Sequence, residues 1–171
     1  MIIIKFIILL IIFGASTSIG LLMSKKYKNR VIELREIIYA INILETKIKF
    51  TYEPIPEIFI EIAQALEKNI AKIFEKASKY IEENTTKEAW NKAIEETKID
   101  LNLNNEDINI IQNLGNLLGK TDIDGQISEI KVVSNFIDAQ SIKAEEERKK
   151  NEKMYRSLGT IVGLAIVIIL I

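Results

Sequence analysis

The chain has 171 residues, a formal net charge of -1, and no Cys or His. That length suits about one domain, and the missing residue types exclude disulfides, thiol nucleophiles, the usual soft-metal ligands and any side chain titrating near neutrality. Near-balanced charge points to no nucleic-acid partner, and two Pro with seven Gly are too few for a turn-rich fold.

From Phe6 the first stretch is apolar through Phe13, and it continues through Gly14, Ser16, Thr17, Ser18 and Gly20 to Met23. About eighteen residues reach the lower limit for a spanning helix. A cleaved signal peptide is the rival reading, because small residues follow an apolar core. Against it, the leading positive charge is only Lys5 and the amine. The dense charge follows the run, at Lys25, Lys26, Lys28 and Arg30, as on a cytoplasm-facing flank. Gly14 with Ser18, and Ser16 with Gly20, have the small-x-x-x-small spacing that lets another helix approach closely.

Lys25 to Tyr52 repeats Val31, Leu34, Ile38, Ile41, Leu44, Ile48 and Tyr52 in steps of three and four, which predicts a helix with one buried face. Ile32, Tyr39, Ile43 and Phe50 add a second stripe, so packing on two sides is expected. Pro54 and Pro56 end this helix and Pro56 opens the next, which carries Ile58, Ile62 and Leu66. Asn69 is expected to cap a third helix, with Ile70, Ile73, Phe74 and Ala77 inside and Ser78 on an exposed side. Thr85 with Glu88 fits a capping box for a short helix holding Trp90. Ile99 to Asn105 is irregular, and Asn105 is expected to cap a helix ending at Gly119.

The last long helix, from about Gln126 to Arg156, buries Ile127, Ile130, Val133 and Ile137, with Phe136 beside them. From Ala144 to Lys153 it turns almost wholly charged, as a solvated stalk would. Arg148, Lys149, Lys150, Lys153 and Arg156 precede the apolar tail Leu158 to Ile171. At about fourteen residues, ~21 Å, that tail falls short of a ~30 Å hydrocarbon core and calls for a partner helix. Gly159 and Gly163 offer the surface, with the first apolar segment as partner. The fold expected is all-α: an anchor over residues 1–24, one cytoplasmic helical bundle over 25–156, and an anchor over 157–171.

Gly115-Asn116-Leu117-Leu118-Gly119-Lys120-Thr121 imitates a phosphate loop but has three residues between its glycines where four are needed, and it follows a helix. The adjacent carboxylates Glu82 with Glu83, and Glu95 with Glu96, suit solvated faces better than an acid–base pair in a cleft. Trp90 is expected as a core anchor. Residue types therefore argue against an enzyme, and no cofactor or metal is expected.

Several pieces, taken in order, resemble the stage III sporulation protein AB family. They are Gly20-Leu21-Leu22-Met23-Ser24-Lys25-Lys26-Tyr27, then Leu44-Glu45 through Ile48-Lys49-Phe50 to Pro54, and Glu88-Ala89-Trp90. Leu114 to Gly119 follows with Asp122 and Gln126, then Lys153 to Gly159 with Gly163-Leu164. The chain departs from the family pattern at Lys47, where a second acid is expected, and at Pro56. The resemblance implies a structural component of the channel complex joining mother cell and forespore, similar to the inner-membrane platform of type II secretion and type IV pilus systems. It also implies a place in the mother-cell membrane. The implied partners are the complex's cytoplasmic ATPase and other membrane proteins of the same complex, and a homo-oligomer is allowed. Candidate contact residues are Glu45, Lys49, Pro54, Asp122 and Gln126, at two polar breaks between packed helices. A membrane-bound helical sensor of sporulation is the alternative, and it would need a ligand pocket in the bundle.

Overall fold

The computed structural model describes residues 2–51, 53–118 and 123–170, with the backbone only for Ile2 and Lys68. The described residues form six α-helices and no strand, an all-α fold as expected: α1 (Ile2–Phe50), α2 (Ile55–Ala65), α3 (Lys68–Tyr80), α4 (Thr86–Thr97), α5 (Asn105–Leu117) and α6 (Ile123–Leu170). A single 3-10 turn, Lys98–Asp100, follows α4. Neither Gly14 and Gly20 in α1 nor Gly159 and Gly163 in α6 interrupts its helix. The apolar and charged parts of each are therefore one continuous element, because no proline lies between them.

The chain divides into two compact units, Met1–Val31 with Lys143–Ile171, and Ile32–Ile142. The second unit is the bundle. Its α1 segment buries Leu34, Ile37, Ala40, Ile41, Leu44 and Ile48, one face at steps of three and four. Ile37 takes the place expected for Ile38; both fit the period, and only the neighbours decide. The second stripe does not pack: Ile32, Tyr39 and Phe50 are 41%, 53% and 67% exposed.

Helices α2 to α4 meet in an aromatic cluster, with Phe59 edge-on to Phe74 at 5.5 Å and Trp90 at 5.4 and 5.1 Å from the two rings. Trp90 is the core anchor expected. Its indole N–H donates to the Ile111 carbonyl at 2.6 Å, which satisfies the one polar atom the ring brings inside. Gly115 makes this possible: a Cβ there would lie 2.6 Å from Trp90 Cδ1 and 3.0 Å from its Cβ. The glycine that imitated a phosphate loop is thus a packing notch in α5.

The caps follow the sequence in part. Pro54 is the N-cap of α2, with Pro56 in its first turn. Thr85 and Glu88 form the expected capping box. Asn104, one residue before Asn105, caps α5 in a reciprocal pair with Asp107. Glu67 stands at the N-cap of α3 with no side-chain cap hydrogen bond. Asn69 is inside it and donates instead to Glu33 at 3.3 Å, a partner that no local pattern reveals. Ser78 is buried and donates to the Glu75 carbonyl. Gly119, expected to end α5, and Tyr52, expected on the buried face of α1, lie outside the described residues.

Candidate functional site

The sequence points to two places, one in each unit. In the first unit, small residues bring α1 and α6 into backbone contact. A Cβ on Gly20 would lie 2.7 Å from the Tyr155 carbonyl oxygen and 2.8 Å from Gly159 Cα; one on Gly159 would lie 2.8 Å from Gly20 Cα. Ser16 Oγ donates to the Gly159 carbonyl at 2.8 Å. Gly163 faces Phe13 and the Ser16 Cβ, both 3.1 Å from where its own Cβ would be. Gly159 and Gly163 therefore meet the Ser16 and Gly20 pair. Gly14 has nothing within 4 Å of its Cβ position, and Ser18 is exposed. Rotation decides this, since the two small pairs lie on different sides of α1 and only one can face α6.

Below this contact Tyr27 stacks on Tyr155 at 5.6 Å. Arg30, almost fully buried, donates to Glu147 at 2.6 Å. Glu145 and Glu152 both pair with Arg148. The guanidinium groups of Arg30 and Arg148 are therefore neutralised internally, while Lys149, Lys150, Lys153 and Arg156 are exposed. Around the pair the surface is apolar and open: Phe6, Ile7, Leu10 and Ile11 in α1, and Ile161, Leu164, Ile168 and Ile169 in α6. Only 11% and 6% of the most apolar windows of the two helices is buried inside the molecule. A soluble core helix would be mostly covered. Both helices are long and apolar enough to cross a membrane.

In the second unit the α1–α2 corner is held by Lys47, whose ammonium contacts Glu61 and, at 3.2 Å, Glu53. Both carboxylates, Glu61 first, raise the Lys47 pKa. Lys47 thus bridges the end of α1 to Glu53 and to Glu61 of α2. Glu45 pairs with Lys131 of α6 at 3.6 Å. Lys49 is exposed, its ammonium 5.0 Å from the Phe50 ring centre. Pro54 is exposed at the turn. Gln126 is half-buried in the first turns of α6, and Asp122 lies outside the described residues. Glu45 and Lys49 share α1 near the corner with Pro54.

Sequence reasoning missed two features. The first is the carboxylate of Glu33, buried to 4% exposure. It accepts from the Asn102 amide at 2.6 Å, from Asn102 Nδ2 at 2.8 Å and from Asn69 Nδ2 at 3.3 Å. It ties the loop after α4 to α1. The second is a groove of about 560 Å³ between α5 and α6, lined by Ile110, Asn113, Leu117, Glu129, Val132 and Phe136 among others. The signal for it was present: Val132 and Phe136 are one turn apart, beside the buried pair Val133 and Ile137.

The adjacent carboxylates do not form a cleft. Glu95 pairs with Lys98, and Glu96 takes bonds from Lys76 at 2.8 Å and from the Tyr80 hydroxyl at 2.7 Å.

Fold and surface together define an all-α protein whose two longest helices each carry an exposed apolar end and pack on one another through glycine. The chain belongs to the stage III sporulation protein AB family, whose model matches residues 5–171. It is 28% identical over 158 residues to stage III sporulation protein AB of Bacillus subtilis (strain 168), covering 91% of this chain and 92% of that one. A solved structure of stage III sporulation protein AB superposes with a TM-score of 0.68 at 22% identity, over 71% of this chain and 98% of that one; this supports the fold. The chain is thus a sporulation protein.

Proposed function

We propose that this chain is a structural membrane component of the channel complex between mother cell and forespore. The apolar ends of α1 and α6 anchor it in the mother-cell membrane, the outer membrane around the forespore. Its helical bundle projects into the mother-cell cytoplasm, where it acts as a platform for the complex's cytoplasmic ATPase and meets the other membrane proteins of the complex. The observation that supports this best is the matching polarity of the two anchors. Each has its basic flank on the side that leads to the bundle: Lys25, Lys26 and Lys28 after the first, Lys149, Lys150 and Lys153 before the second. Two anchors with the same inner end agree on one orientation. The close contact of α6 with α1 through Gly159 and Gly163 gives each anchor a partner helix.

The Glu45–Pro54 corner is the proposed contact for the ATPase. Pro54 is exposed there, at a turn that Lys47 bridges to Glu53 and Glu61. The chain's lack of cysteine makes the orientation testable. Lys87→Cys, at an exposed position of α4, is treated with a membrane-impermeant thiol reagent before and after lysis. Labelling only after lysis is expected. Labelling of intact cells would put the bundle across the membrane, out of reach of a cytoplasmic ATPase, and the platform role would fall.

A further inference from the structure

The bundle carries two uncovered apolar features. One is a ridge on α1. Ile32, Tyr39, Ile43 and Phe50 are spaced by seven, four and seven residues, which places them within about 40° of arc on a helix of 3.6 residues per turn. Ile32, Tyr39 and Phe50 are exposed to 41%, 53% and 67%, with Ile43 half-buried between them. The other is the α5–α6 groove, with Val132 and Phe136 exposed to 52% and 56% on its wall. Along α5 the groove runs from Glu106 to Leu117, about 16 Å at 1.5 Å per residue, and Ile32 to Ile43 covers the same length.

We infer that two copies of this chain dock side by side through these unlike faces, the α1 ridge of one copy entering the α5–α6 groove of the next. The inference rests on the membrane-anchored reading, since copies held in one bilayer keep the same orientation and can differ only by rotation about its normal and by position in its plane. A contact between such copies must therefore join surfaces at the same level. Measured along the bundle itself, the two faces are level. Glu45 of α1 pairs with Lys131 of α6 at 3.6 Å. Ile43 is two residues from the first and Val132 is next to the second, so ridge and groove are level within about 5 Å.

Charge agrees with the match. Lys49 is exposed beside the ridge, while Glu129 lines the groove near the same level. A ridge in a two-helix groove is ordinary helix packing, and the apolar side chains it removes from water supply the drive. Because the joined faces are unlike, each copy keeps a free ridge on one side and a free groove on the other. The contact repeats and closes into a ring if the rotation allows.

The test uses the full chain in cell membranes. Ile43→Cys and Val132→Cys are expressed singly and together as two separately tagged chains, then oxidised with copper phenanthroline. The mixture is expected to give at least ten times more disulfide dimer than either variant alone, because each single variant presents its thiol to an unlike face. Charge reversal is the second readout. Lys49→Glu and Glu129→Lys in the cysteine background should each lower the yield severalfold, and both together should restore it. No dimer in the mixture, or as much from Val132→Cys alone, overturns the docking. The same membranes are washed with carbonate: protein that washes off refutes the anchored reading, whereas the dimer yield refutes or supports the docking independently.

Discussion

Gly115→Ala is the sharpest test of the packing described above, because helix propensity and tertiary structure predict opposite signs. In an exposed helix interior, replacing glycine by alanine would stabilise by about 1 kcal/mol. In this protein the new methyl would sit 2.6 Å from Trp90 Cδ1 and 3.0 Å from Trp90 Cβ and Cγ. The ring is 2% exposed. It has no free direction, with Phe59 at 5.4 Å and Phe74 at 5.1 Å, and its N–H is held by Ile111. Overpacking of this kind costs about 1–3 kcal/mol, and displacement of the indole puts its hydrogen bond at risk for roughly 1 kcal/mol more. Against the propensity gain, the net expectation is a loss of about 1–3 kcal/mol. The single tryptophan reports on its own site. Urea unfolding of the detergent-solubilised chain, followed by Trp emission, should show a lower midpoint at unchanged slope, with native emission altered. A variant as stable as the parent, with unchanged emission, would refute the notch.

Other expectations follow from the same contacts. Glu33→Ala leaves the Asn102 amide and two side-chain amides without their acceptor, so a loss of roughly 2–4 kcal/mol is expected; hydrogen exchange at Asn102 should speed up ahead of global unfolding. Lys76, then Tyr80, holds the Glu96 carboxyl below its ordinary 4.5. The unfolded chain therefore takes up this proton first as pH falls from about 4.5, and the stability the group contributes above that pH fades below it. Glu96→Gln should flatten this part of the acid unfolding profile. In the first unit, Tyr27→Cys with Tyr155→Cys should form an intrachain disulfide on oxidation, given the stacked rings at 5.6 Å. Adding Gly159→Leu should cut the yield severalfold by forcing the helix backbones apart, whereas Gly14→Leu should leave it unchanged.

Periodicity, caps and composition carried much of this structure. The 3–4 spacing of α1, the prolines at its end, and the Thr85 box are local, since each depends on residues within one or two turns. The two apolar ends were equally legible, because length and hydropathy depend on no neighbour. The sequence alone also carried the family, through the order of several weak pieces that the match over residues 5–171 brings together.

What needed the tertiary structure was every choice between equivalent local solutions. Ile37 and Ile38 both fit the helical period, as did the two small-residue pairs of α1, and only the packed neighbours select Ile37, Ser16 and Gly20. The buried role of Glu33 was invisible because its partner amides lie 36 and 69 residues away. Asn69 failed as a cap for the same reason, its side chain being drawn into that distant network. Gly115 stood out only in a rejected phosphate-loop lookalike, and its packing role appears once Trp90, from another helix, is placed against it. The second stripe of α1 is the most instructive case. Its spacing reports correctly that the face is apolar, yet whether this chain covers that face depends on how many helices the bundle can set around α1. The physical reason is general: intrahelical geometry depends on a few successive residues, while burial depends on elements brought together across the whole chain.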